Sequence, residues 1–203
     1  MNLSFGEYRA LVAKAMRGAG YSWGLTEDGS FAAKRLAEFG LSSGDMIVRL
    51  LHEVDGQAVA AFMPNTEWTT DAGQVCPISL GTSIADGGGC EELTVHGVLE
   101  PLLIVPAMGA SCRDGLGYVM SWVGGECHFG RQTLTATGVL PVGAVEISLR
   151  SAPIPRDERQ PRSTRVLLDE DIAGELACFA HRVYAPATDE SRAGAGAGLS
   201  DND

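Results

Sequence analysis

Apolar residues recur three and four apart at both ends of this chain and two apart through much of its middle. That change of period limits the fold, because a side chain returns to the same face every 3.6 residues on a helix and every second residue on a strand. Residues 4–17 carry Phe5, Tyr8, Leu11, Val12, Ala15 and Met16 on one helical face. Ser4 with Glu7 three residues later forms a capping-box signature, and Gly18 and Gly20 stop the helix. A second helix is expected from near Thr26 to Gly40, with Phe31, Ala32, Leu36 and Phe39 facing inward. The aromatic link Tyr21-Ser-Trp23 before it is expected to pack down. Ser42 or Ser43 caps a third helix with Ile47, Leu50, Leu51 and Val54 inside, closed by Gly56. Near the other end, Asp169 caps a helix over residues 170–184, striped by Ile172, Leu176, Phe179, Ala180 and Val183.

Residues 59–149 read as β: short runs rich in Val, Ile, Thr and aromatics, bounded by glycines. Leu93, Val95 and Gly97 alternate with polar neighbours, as do Val145, Ile147 and Leu149. Gly124-Gly125 is expected to turn a hairpin between 119–122 and 127–129. Leu102-Leu-Ile-Val105 is apolar throughout and predicts a central strand. Residues 151–163, with Pro153, Pro155, Pro161 and five charges, predict an exposed loop, followed by a short strand at 165–168. The expectation is an α+β fold: an N-terminal three-helix segment, a mixed or antiparallel sheet, a C-terminal helix and a Gly-rich tail. At 203 residues one domain is expected, with parts at 1–56, 57–168, 169–185 and 186–203.

A net charge of −11 argues against nucleic acid and anionic membrane surfaces as partners. The longest apolar run, 101–110, is too short to span a bilayer. The first residues show no basic region followed by an apolar one, so a cytoplasmic location is expected. Five cysteines without framework spacing fit free thiols in a reducing compartment.

No motif couples a nucleophile to its base. Cys127-His128 are neighbours on a strand, so they face opposite ways and cannot pair with each other. Cys127 equally suits a small buried hydrophobe. His96, on the polar face of its strand, is the best-placed imidazole for acid–base work. Cys76-Pro77 opens a stretch running through Thr82, Ser83 and Asp86 into Gly87-Gly88-Gly89. As a glycine loop it could cradle a small anion through its N–H groups, with those side chains assisting; the plainer alternative is a strand ending in a flexible connection. It matches neither a P-loop nor a dinucleotide fingerprint. Cys178 and His181 stand three apart on the last helix, but no second pair exists to complete a metal site. His52 is expected at a solvent edge.

The final stretch, Gly194-Ala-Gly-Ala-Gly-Leu-Ser-Asp-Asn-Asp203, offers almost no side chain to pack. Ordering it would cost about 10–20 kcal/mol of backbone entropy, against about 2 kcal/mol from burying Leu199. It is therefore either loose or held by main-chain hydrogen bonds to the protein body, a partner or a ligand. Asp201 and Asp203 form an oxygen cluster that suits a hard cation, and Arg192 could meet a small carboxylate.

Four stretches resemble one family: Gly18-Ala-Gly-Tyr-Ser-Trp-Gly-Leu25, Cys76-Pro-Ile-Ser-Leu-Gly-Thr-Ser-Ile-Ala-Asp86, Pro101-Leu-Leu-Ile-Val-Pro106 and the segment from Ser191 to Asp203. Together they are similar to the bacterial family of unknown function DUF3726, over nearly the whole chain and most specifically in the tail. The resemblance implies a stand-alone bacterial protein of metabolic gene neighbourhoods. It brings no activity, cofactor or catalytic residue with it.

The leading expectation is a binding or accessory protein of small-molecule metabolism, self-associating or meeting a partner through its tail, with a small anionic ligand. The rival is a small enzyme whose site gathers His96, Cys76, Asp86 and Cys127. A purely structural role is third. The cofactor, if the protein uses one, is left open by the sequence.

Overall fold

The computed structural model describes residues 1–113, 115–154 and 163–184. The chain opens on a two-residue strand β1 (Asn2–Leu3), then α1 (Phe5–Gly18), α2 (Trp23–Glu38) and α3 (Ser43–Val54). The middle holds α4 (Pro77–Asp86), β2 (Glu92–Leu99), α5 (Val105–Ser111), β3 (Leu116–Trp122), β4 (Gly125–Gly130), β5 (Leu134–Gly138) and β6 (Ala144–Pro153). Two further elements, β7 (Val166–Leu167) and α6 (Glu170–His181), end the described chain. Single turns of tighter helix lie at Val59–Phe62 and Pro101–Ile104. The fold is α+β and its sheets are antiparallel, with strand orders β1-β7 and β2-β6-β3-β4-β5.

Capping follows the sequence. Ser4 receives the Glu7 N–H, and the Glu7 carboxylate accepts from the Ser4 N–H at 2.8 Å, closing the capping box. Asp169 caps α6 by accepting from the Asp171 N–H. The hairpin forms with Trp122 opposite Gly125, and Gly124 at φ +93° makes the tight turn between them.

Three readings are corrected. First, α2 begins at Trp23, capped by Ser22, three residues before Thr26. Tyr21 is buried as expected, but Trp23 is 72% exposed, its ring covered by the Arg17 guanidinium. Second, the strand assigned to residues 102–105 is a helical turn running into α5. Pro101 and Pro106 both sit at first-turn positions, where a missing N–H costs nothing. A short, wholly buried apolar run has no polar face to reveal its period. Third, Cys76–Asp86 is not a strand and loop: Cys76 is the N-cap and Pro77 the first residue of α4. In addition, β6 continues to Pro153, into what reads as loop, and residues 155–162 lie outside the described set.

One cluster of buried side chains runs from Tyr8 on α1 to Ala180 on α6. The helices cover one sheet face, bringing Val95, Ile147, Leu149, Met120, Cys127, Phe129 and Leu134 inside. The other face carries Thr94, Ser148, Glu146, Glu126 and His128. Helices α1 and α6 cross so closely that a Cβ on Gly18 would overlap the Phe179 carbonyl oxygen. Glu100, only 2% exposed, ends β2 with left-handed backbone (φ +41°). Its carboxylate accepts two hydrogen bonds from Arg49 of α3, each 2.7 Å, and one from the Gly143 N–H at 2.9 Å.

Two stability outcomes follow. Arg49→Met leaves a buried carboxylate with one remaining donor and is expected to cost about 2–4 kcal/mol in urea denaturation, below the full buried-pair penalty because Arg49 is partly exposed. Gly18→Ala gains about 1 kcal/mol of helix propensity but forces α1 and α6 apart. A net loss of about 2 kcal/mol is expected, read as a melting temperature lowered by about 4–8 °C; a rise would contradict the close crossing.

Candidate functional site

The cleft with the most convergent chemistry lies where α4 and α5 end and β2 and β3 begin. Its volume is about 460 Å³, and Gly88, Gly89, Cys90, Glu91, Ser111, Cys112, Arg113, Leu116, Tyr118 and Ser151 line it. One wall begins with the glycine run. The N–H groups of Gly87, Gly88 and Gly89 return to the carbonyls of Ser83, Ala85 and Ile84, capping α4. Gly88 and Gly89 adopt φ +88° and +92°, which L side chains resist. A Cβ on Gly89 would overlap the Tyr118 hydroxyl. Its absence leaves room for that hydroxyl beside the glycine run.

Tyr118 comes from β3 and stacks on Phe129 with ring centroids 5.8 Å apart. Burial pushes its phenol pKa up, so the hydroxyl keeps a proton to donate. The opposite wall is the end of α5. There the Ser111 hydroxyl and the Cys112 thiol both donate to the Met108 carbonyl, at 2.8 and 3.3 Å. Burial raises the pKa of Cys112, partly opposed by Arg131, and burial alone raises that of Cys90. Both thiols therefore stay protonated near neutrality and act as polar walls, not nucleophiles. Arg113 and Glu91 are exposed at the rim. Among the described residues neither has an ion-pair partner.

The residues singled out from the sequence are not brought together. His96 lies on the open sheet face, its side chain 80% exposed, with Nδ1 2.6 Å from Glu146. Cys76 is buried at the start of α4, its sulfur 3.7 Å from the Tyr21 hydroxyl. Cys127 is buried on the inner sheet face, where desolvation pushes its thiol up to about 12. Its neighbour His128 faces away and meets Glu126 at 2.9 Å. Thr82, Ser83 and Asp86 stand on α4 instead of in a loop. The Thr82 hydroxyl reaches Asp28 of α2 at 3.4 Å, and the glycine N–H groups are already used, so the expected anion cradle has lost its donors. His52 pairs with Glu175 at 3.1 Å and lies edge-on to Phe179. Cys178 is exposed, and His181 packs against Tyr184. Arg192, Asp201 and Asp203 lie outside the described residues. Among the described residues no three His, Cys, Asp or Glu are grouped to hold a metal ion. No described helix is long and apolar enough to cross a membrane.

Of this constellation only the glycine run stood out in the sequence. Tyr118, Cys112 and Arg113 are placed by the α5–β3 connection and the strand order, which spacing does not disclose.

Residues 3–76 match the family described as "Protein of unknown function (DUF3726)". The matched stretch contains Gly18–Leu25 and ends at Cys76, so the cleft and the tail lie beyond it. No curated protein and no solved structure matches the chain.

Thiol reactivity reads this geometry. Under native conditions Cys178 is expected to react first with a disulfide reagent, and Cys178→Ser to remove that phase. Cys90 follows slowly. Its raised pKa keeps it protonated through neutrality, so its rate climbs about tenfold per pH unit until that pKa is passed. Cys76, Cys112 and Cys127 wait for unfolding. A fast neutral-pH phase surviving in Cys178→Ser would contradict the assignment.

Proposed function

We propose that the protein binds a small zwitterionic molecule, amino-acid-like in its charges, in the cleft between α4, α5 and the sheet. The observation that supports this most is that Arg113 and Glu91, neither with an ion-pair partner among the described residues, stand on the rim of one cleft whose walls are neutral hydrogen-bonding groups. Arg113 suits a carboxylate, for which a guanidinium offers two parallel donors. Glu91 and the carbonyl-rich end of α4 suit an ammonium group, since a helix C-terminus carries partial negative charge. Tyr118, Ser111 and Ser151 supply hydroxyls for orientation. The volume of about 460 Å³ falls in the usual range for small-molecule sites and holds an amino acid with room for water. With both lining thiols protonated and His96 on the opposite sheet face, recognition is a better use of this cleft than catalysis.

The test is thermal denaturation with free amino acids, with carboxylates lacking an amine, and with amines lacking a carboxylate. A zwitterion at a hundredfold its dissociation constant should stabilise by about 2.7 kcal/mol, a shift of several degrees, and the single-charge probes by much less. Arg113→Ala and Glu91→Gln should each remove the shift while leaving the ligand-free melt unchanged. A shift of equal size in both variants, or none from any zwitterion, overturns the reading.

A further inference from the structure

Arg113 is not the only cation at the α5 end of the cleft. Arg131 follows β4 directly, and the end of β4 is drawn in against α5. Gly130 pairs with Gly117 of β3, which lines the cleft. The Gly130 carbonyl oxygen lies so near α5 that a Cβ on Gly109 would come within 2.8 Å of it. Arg131 is therefore carried to the corner where α5 gives way to Cys112 and Arg113. Its side chain is exposed, and its charge acts on the Cys112 thiol in the cleft wall. Among the described residues Arg131 makes no ion pair.

The main chain at this corner is held from a second side. The Arg131 carbonyl accepts from the Arg35 guanidinium of α2 at 3.2 Å, and Arg35 also pairs with Glu38. Arg35, Arg113 and Arg131 thus gather beside α5 in a chain of net charge −11, a local reversal of sign that draws anions. The facing wall has the opposite character. Helix α4 ends there at Asp86, with its partly negative C-terminus, and Glu91 stands on the rim. A simple zwitterion needs one cation and one anion from its site. This cleft has two guanidinium groups at one end and a carboxylate at the other.

We propose that the ligand is a dicarboxylic amino acid of aspartate or glutamate size, and that Arg131 selects it by taking the side-chain carboxylate. The proposal rests on the zwitterion reading of the cleft, in which Arg113 meets the main carboxylate and Glu91 the ammonium. Arg131 suits the second carboxylate for the same reason that Arg113 suits the first: its fork offers two parallel donors to two oxygens. The lining between the charged ends does not compete for either group. The Ser111 hydroxyl and the Cys112 thiol already donate to the Met108 carbonyl. Because Arg131 is exposed, its hydrogen bonds to a carboxylate fall at the weak end of the charge-assisted range, worth about tenfold in affinity.

The test is calorimetric titration of the full chain with L-glutamate against L-glutamine, and with L-aspartate against L-asparagine. Each pair differs by one charge at nearly constant size. The acidic member of at least one pair should bind about tenfold more tightly than its amide. Arg131→Gln should abolish that preference while leaving the ligand-free melt unchanged, since the side chain is exposed. Equal affinity within both pairs overturns this proposal and leaves the zwitterion reading standing, as does a preference that survives in Arg131→Gln. If none of the four binds, the proposal falls, and the zwitterion reading falls with it only when the remaining amino acids also fail to bind.

Discussion

Glu100 joins the helical layer to the sheet. Its carboxylate is the meeting point of α3, through Arg49, and of the segment entering β6, through Gly143. Its own N–H donates to the Gly143 carbonyl at 3.1 Å, and its carbonyl accepts from Leu103. A non-glycine residue in left-handed backbone costs about 1–2 kcal/mol, and a buried carboxylate costs more. The fold sustains both because every oxygen is met and because the turn they create sends residues 101–111 back under α4. Without that reversal the cleft would lose the wall that α5 supplies.

Close approach of main chains is the second constraint. Gly81 lets α4 rest on the turn at 101–104, where an added Cβ would come within 3.0 Å of the Ile104 carbonyl oxygen. Gly18 does the same for α1 on α6, and Gly89 for Tyr118. These glycines serve internal packing. The idea that they expose bare main chain to outside partners finds no support at 87–89, whose N–H groups cap α4.

What could be read from the sequence depended on whether an element has a wet side. Helices α1, α2, α3 and α6 each bury one stripe, so their periods were visible, down to the Ser4–Glu7 cap. The β3–β4 hairpin announced itself through Gly124. Residues 77–81 of α4 and residues 101–109 are almost wholly buried, and an enclosed helix and an enclosed strand share one hydrophobic composition. The cleft was legible only at its glycines. Its Tyr118, Cys90 and Cys112 meet through strand order, and the polar residues that looked most chemical, His96 and His128, were outward-facing partners of glutamates.

The first and last described elements are locked together: Met1 exchanges two main-chain hydrogen bonds with Leu168, and α1 packs along α6. Contacts between residues so far apart in the chain are slow to form, because the intervening loop must close first. During synthesis α2 and α3 can cover part of the apolar face of α1 early, but the side that meets α6 waits, uncovered, until α6 has emerged. Closure of α1 on α6 is in that sense a late step, and the side of α1 that meets α6 is the one most in need of shelter until then.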